Sequence, residues 1–219
     1  MNKKIFSLIM CLVALTNPLL AADNLTISNF LVVQGVEGQE FAIELNNDQN
    51  YAAFQFDLVL PEGITLTGYS AASRLATDTD VQVQQQPNGS YRFIAIPPNL
   101  TTNITGTSGA IITITISASA DVALGSLTGY FRNVKLSKTN GEGKTYNEMS
   151  FSVNTLRLGD VNGDNSVDAQ DASLVLQHVA GKKPLSGPFL IAADVNDDHG
   201  VDAQDASLIL QYVAGKISW

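Results

Sequence analysis

Between about residues 24 and 153, apolar and polar positions alternate in short runs. Phe41, Ile43 and Leu45 share one side of an extended segment, as do Phe54, Phe56, Leu58 and Leu60, and again Ile112, Ile114 and Ile116. A period of two puts such residues on one face of a half-buried strand. Turn residues bound the runs, among them Pro61-Glu62-Gly63 and Pro87-Asn88-Gly89. Further strands are predicted over 91–96, 130–136 and 149–153. Seven or more short strands with no helical pattern between them predict an all-β antiparallel sandwich of jelly-roll type.

The period changes in the last third. Residues 160–183 read DVNGDNSVDAQDASLVLQHVAGKK and residues 194–217 read DVNDDHGVDAQDASLILQYVAGKI, two copies 34 residues apart that differ at six of 24 positions. Such self-similarity is an internal repeat, one structural unit used twice. Each copy predicts a polar loop followed by one helix, with nothing helical before the loop. In the first, Asp168 is placed to cap the helix, Asp171 favours its positive N-terminal end, and Gly181 stops it. Asp205 and Gly215 repeat this downstream. At 100° per residue, Ala172, Leu174, Val175, Leu176, His178 and Val179 cover roughly 200°, wider than the ~100° stripe one buried face requires. Leu174, Val175 and Val179, with Leu208, Ile209 and Val213, are assigned to the interior between the copies.

The loops carry the candidate chemistry. Asp160, Asn162, Asp164, Asp168 and Asp171 occupy positions 1, 3, 5, 9 and 12 of the first loop, with the Ser166 carbonyl at position 7; Asp194, Asn196, Asp198, Asp202 and Asp205, with the Gly200 carbonyl, repeat the set. Alternate residues of a coiled loop turn their oxygens to one centre, and Ca²⁺ takes about six to eight oxygens at about 2.3 to 2.6 Å. No Cys or His stands at a ligand position, which disfavours zinc and copper. Two Ca²⁺ ions are expected. Position 6, commonly Gly, is Asn165 or His199, types enriched among non-glycine residues at positive φ. Position 12 is Asp rather than the longer Glu, which requires the backbone to come closer to the ion.

At the other end, Lys3 and Lys4 precede an apolar run over 5–20 and then Leu20-Ala21-Ala22, the pattern of a secretory signal peptide cleaved after Ala21 or Ala22. The run is shorter than the ~20 apolar residues of a bilayer span; a retained anchor is the alternative, and no later stretch is long and apolar enough to span. The only cysteine, Cys11, lies inside the run, so disulfides and thiol catalysis are not expected of the mature chain. The formal charge of −9 becomes −11 without Lys3 and Lys4, and residues 159–219 hold nine Asp against three Lys. Such a chain repels phosphate backbones, which excludes nucleic acid as the expected partner. Five tyrosines of the sandwich half, Tyr51, Tyr69, Tyr91, Tyr130 and Tyr146, are either sugar-stacking platforms or rim residues with wet hydroxyls.

Both copies, over about 159–216, resemble a type I dockerin, the calcium-binding module by which secreted glycan-degrading enzymes and scaffold proteins plug into a cohesin domain. The sandwich half is similar to cohesin-like domains in the stretch Ala53-Phe54-Gln55-Phe56-Asp57-Leu58-Val59-Leu60-Pro61-Glu62-Gly63-Ile64, and such sandwiches are close in form to some carbohydrate-binding modules. The expected organisation is a signal peptide over 1–22, a cohesin-like sandwich over 24–153, a short connector over 154–158 and a dockerin of two calcium-loop-helix repeats over 159–219. A connection of about six residues reaches at most roughly 20 Å, which sets the metal module near one end of the sandwich.

The resemblance implies contact with a cohesin or cohesin-like partner through loop positions 10 and 11 and helix positions 17, 18 and 22. In this chain these are Ala169, Gln170, Leu176, Gln177 and Gly181, then Ala203, Gln204, Leu210, Gln211 and Gly215. The two sets are identical, so docking in either of two orientations is implied. Ala-Gln replaces the hydroxyl pair common at positions 10 and 11, and Leu-Gln replaces the usual basic pair. Leu176 and Leu210 are alternatively buried on the sandwich or between the copies. The reading that follows is a secreted, non-catalytic adaptor, extracellular, at a cell surface or in a periplasm, serving polysaccharide degradation. Its rivals are a carbohydrate-binding accessory protein whose sandwich holds polysaccharide, and a glycoside hydrolase of unfamiliar type, for which no carboxylate pair is identified.

Overall fold

The computed structural model describes residues 23–28, 30–98 and 101–219; the expected signal peptide over 1–22, with Cys11 and both cleavage positions, lies outside them. Ten strands come first: β1 (Asn24–Ile27), β2 (Leu31–Val33), β3 (Gln39–Asn46), β4 (Ala53–Val59), β5 (Ile64–Ala71), β6 (Asp80–Gln85), β7 (Tyr91–Ile96), β8 (Ala110–Ala118), β9 (Gly125–Ser137) and β10 (Gly143–Leu156). Three helices follow, α1 (Ala169–Val179), α2 (Pro188–Ala193) and α3 (Ala203–Val213).

The strands form two sheets, ordered β1-β3-β8-β5 and β2-β10-β9-β4-β7-β6. The alternating residues become their facing sides: Ile43 and Leu45 of β3, Phe54, Phe56 and Leu58 of β4, and Ile112, Ile114 and Ile116 of β8 are buried in one core. Its centre is aromatic, with Phe56 stacked on Phe93 at 5.0 Å and edge-on to Phe131 at 5.3 Å. This is the expected sandwich with one departure, because β2 runs parallel to β10. The parallel pair is open to β2 because it is three residues long and sits at the sheet edge, and its free side is closed by the buried Gln39 amide. That amide accepts from Val33 N–H at 2.7 Å and donates to Val33 O at 2.8 Å, in the manner of a missing strand.

The tyrosines do not form a platform. Tyr51 is fully buried, and its hydroxyl, with that of Tyr146, donates to the buried Asp23 carboxylate at 2.6 and 2.8 Å. Only Tyr69 of the five is strongly exposed.

Strand β10 continues to Leu156, so three of the five residues read as connector, 154–156, belong to the sheet. The helical module is therefore joined closely to the sandwich and rests on it. Ala192 of α2 is buried with Val33 and Leu156, flanked by Phe189 and Ile191. A second correction is α2 itself, since no helix was expected before either loop. Among the described residues no helix is long and apolar enough to cross a membrane.

Candidate metal centre and docking faces

Each loop is wound by its own carboxylates. In the first, Asp160 accepts from Gly163 N–H at 2.7 Å through one oxygen and from Asn165 N–H at 2.9 Å through the other. Asn162 Oδ1 accepts from Asp164 N–H at 2.8 Å, and Asp164 Oδ1 from Ser166 N–H at 2.9 Å. Asp171 closes the loop from the helix side, accepting from Val161 and Asn162 N–H at 2.8 and 3.1 Å on one oxygen and from Asp168 N–H at 2.9 Å on the other. The second loop follows the same plan with one bond moved a residue on: Asp194 accepts from Asp198, at position 5 rather than 4, and from His199, Asp198 accepts from Gly200, and Asp205 from Val195 and Asp202.

Asn165 and His199 lie at φ 70° and 68°, as expected of their types at position 6. Asp168 and Asp202 are the helix N-caps, accepting from Gln170 and Gln204 N–H at 2.6 Å, and with Asp171 and Asp205 they complete reciprocal capping boxes. Gly181 and Gly215, both at φ 67°, follow the C-caps Ala180 and Ala214, the left-handed stop that glycine adopts without a Cβ penalty.

The donor set fits a hard cation. A carboxylate has about four acceptor sites, so those bound to two or three N–H groups keep lone pairs free. Asp160, Asp171 and Asp205 are fully buried, and none of the ion pairs among the described residues involves a loop carboxylate. Burial pushes the Asp160 carboxyl above the ordinary aspartate range and the charges of Asp171 and Asp164 push it further, against hydrogen bonds from Gly163 and Asn165. Asp205 is likewise raised, first by burial, with the charge of Asp194 adding to it. Buried negative charge with no cationic side chain beside it is what a divalent ion would neutralise. The repeats are not fully equivalent. In the second, Asp194, Asp197 and His199 bring side-chain atoms within 4.8 Å of one another, a grouping absent from the expected ligand set. Its signal in the sequence is the exchange of Gly163 and Asn165 for Asp197 and His199 at positions 4 and 6.

The helices pack through Val161, Ala172, Val175, Ala193, Val195, Ala206 and Ile209, with Leu174 and Leu208 partly buried against them. Val179 and Val213, assigned to this interior, are instead 48% and 46% exposed. Each is the last residue of an eleven-residue helix and stands outside the cluster that joins the copies. Leu176 and Leu210 are 47% and 46% exposed, which overturns the alternative that they rest on the sandwich or between the copies. Ala169, Gln170 and Gly181 are exposed, as are Ala203, Gln204 and Gly215, while Gln177 and Gln211 are half-buried and donate back to Ser173 and Ser207 at 3.2 and 3.3 Å. Ala169, Gln170 and Gln177 border a shallow pocket of about 470 Å³ shared with Asn162, Ser173, Leu174 and Lys183.

Residues 158–214 match the family model of the dockerin type I domain. Across the N-terminal region the fold is that of cohesins. The sixth cohesin of scaffoldin B from Acetivibrio cellulolyticus, crystallised in complex with a dockerin mutant, is 11% identical with a TM-score of 0.52, over 62% of this chain and 99% of that one. A chain of a type I cohesin–dockerin complex from Clostridium thermocellum is 13% identical with a TM-score of 0.50, again over 62% and 99%. No curated protein matches the chain.

Proposed function

We propose that this protein is a secreted, non-catalytic assembly protein whose C-terminal module closes on two Ca²⁺ ions and docks to a cohesin or cohesin-like domain. Asp160, Asn162, Asp164, Asp168 and Asp171, with the Ser166 carbonyl, hold one ion; Asp194, Asn196, Asp198, Asp202 and Asp205, with the Gly200 carbonyl, hold the other. The ions neutralise the buried carboxylates and fix the loop ends of α1 and α3, and so fix the surface those helices present. Polysaccharide degradation is the setting in which such an adaptor serves.

The observation that carries the reading is the pair of matched apolar patches. Leu176 with Val179 and Leu210 with Val213 are left exposed to the same degree in both copies, although an adjacent domain is docked on the same small module. The same apolar pair exposed at the same place in both copies is the kind of patch that marks an interaction surface. Gln177 and Gln211, the residues that follow the two leucines, are half-buried polar groups suited to an interface rim.

Calorimetric titration against a panel of purified cohesin domains tests this. Binding is expected in calcium and is expected to vanish with a chelator. Leu176→Asp or Leu210→Asp alone should leave binding within about twofold, because the other face serves, whereas the double variant should lose it by 100-fold or more, about 3 kcal/mol. A single variant that abolishes binding would remove the two-orientation part of the proposal, and chelator-insensitive binding would remove the role of calcium.

A further inference from the structure

The six residues of α2 face three structures at once. Ala193 is fully buried in the core of the helical module, with Val175 and Ile209. Its neighbour Ala192 is fully buried in a separate cluster with Val33 of β2 and Leu156 of β10. The backbone ties the helix to both loops. Gly159 N–H, one residue before Asp160, donates to Ala192 O at 2.8 Å, and the C-cap of α2 is Asp194, the first residue of the second loop. The Phe189 ring lies over the first loop so closely that a Cβ at Gly163 would sit 3.1 Å from it.

A helix this short has no stability of its own, because its nucleation cost is not recovered over so few hydrogen bonds. Its form and position depend on what it packs against. On one side that is a sandwich edge; on the other it is two loops that hold the buried carboxylates Asp160, Asp171 and Asp205.

We infer that α2 is a joint through which calcium binding by the loops and docking of the sandwich are energetically coupled. Closing the loops fixes Gly159, Gly163 and Asp194, and through them the helix. The fixed helix then holds β2, the three-residue strand at the sheet edge, and the end of β10. Coupling of this kind is reciprocal, so sandwich docking tightens calcium binding by the factor with which calcium tightens docking. This rests on the calcium reading above and adds to it that the adaptor is rigid when loaded and loosened at one defined place when stripped.

The full-length chain tests it with calcium as the sole ligand. Trp219, the only tryptophan, stacks on Tyr212 at 4.2 Å and donates to Leu158 O at 3.2 Å, so its fluorescence reports the helical module, while calorimetry reports binding. Strand circular dichroism follows sandwich unfolding, and hydrogen exchange follows β2. Saturating calcium is expected to raise the sandwich midpoint by about 3 °C or more and to slow exchange over 31–33. Phe189→Ala with Ile191→Ala should abolish both effects and weaken calcium binding by about fivefold or more, with each single substitution giving part of the loss should the double variant fold poorly. Calcium uptake with no change in the sandwich midpoint would overturn the joint and leave the calcium reading standing. No heat on titration would overturn both.

Discussion

Arg74 is buried with no carboxylate beside it. Its guanidinium donates to Leu45, Thr105, Gly106 and Gly109 carbonyls and to Asn47 Oδ1, at 2.6 to 3.0 Å, and so pins the segment leading into β8 against the end of β3. Burial lowers its pKa, though a guanidinium stays charged in any protein. The planar five-donor fork is what allows one side chain to serve so many carbonyls. Arg74→Lys leaves at least two of these oxygens unserved, at about 1 kcal/mol each, so a loss of about 2 kcal/mol in denaturant unfolding of the sandwich is expected. Buried polar residues of this kind were illegible in the sequence. Arg74, Gln39 and Asp23 are of types mostly found at the surface, and Tyr51 reads as a platform or rim residue. The partners that hold them inside carry no sequence signal: Tyr146 for Asp23, the Val33 backbone for Gln39, and the Leu45 and Gly109 carbonyls for Arg74.

At the scale of elements, what repeats was legible and what is fixed by tertiary contact was not. Alternation identified β3, β4, β7 and β8, and the parts of β9 and β10 with large apolar residues, because each has one face in the common core. Strands β5 and β6 lie at sheet edges and offer the core only two aliphatic residues each, Ile64 with Leu66 and Val81 with Val83, a shorter alternation than the three or more of β3, β4 and β8. The bulge at Asn133 is equally silent: at φ 51° it breaks the β4–β9 register and brings its amide within 2.7 Å of Asp57. Helix α2 is the run Pro-Phe-Leu-Ile-Ala-Ala, too short for a period of 3.6 to declare itself. The loop-helix repeats were readable because their chemistry is local. Asp171 alone accepts the three N–H groups that join the start of the first loop to the start of α1. Asp171→Ala leaves them without a partner, and a loss of about 3 kcal/mol is expected in the calcium-free module, together with loss of one calcium equivalent. Trp219-monitored unfolding and calcium calorimetry measure the two effects.

Across the whole molecule, the two halves answer acid with opposite signs. Burial alone would raise Asp23, but hydrogen bonds from Tyr51, Lys144, Asp48 N–H and Tyr146 outweigh it and hold its carboxyl near about 2 against an ordinary 3.8. A carboxyl lowered by folding stabilises at every pH above its unfolded value, and that stability drains away as pH falls through the folded one. For Asp23 the amount is about 2 kcal/mol, present above 3.8 and lost toward about 2. Asp160 and Asp205 are raised, so without calcium the folded module binds protons before the unfolded chain does. Its stability therefore increases as pH falls through their raised values and levels off near 3.8. Scanning calorimetry of the full-length protein in chelator is expected to show the helical transition moving up between neutral pH and about 4, with the sandwich transition moving down only below that. With calcium present the sign for the helical module reverses, because protons displace the ion from the carboxylates that hold it. Asp23→Asn should shrink the acid limb of the sandwich to the part supplied by Asp57, which the Arg92 hydrogen bond also holds below the ordinary aspartate range, and leave the helical one in place. Two transitions that shifted together, in the same direction, in chelator would mean that the buried loop carboxylates are not what sets the stability of the stripped module.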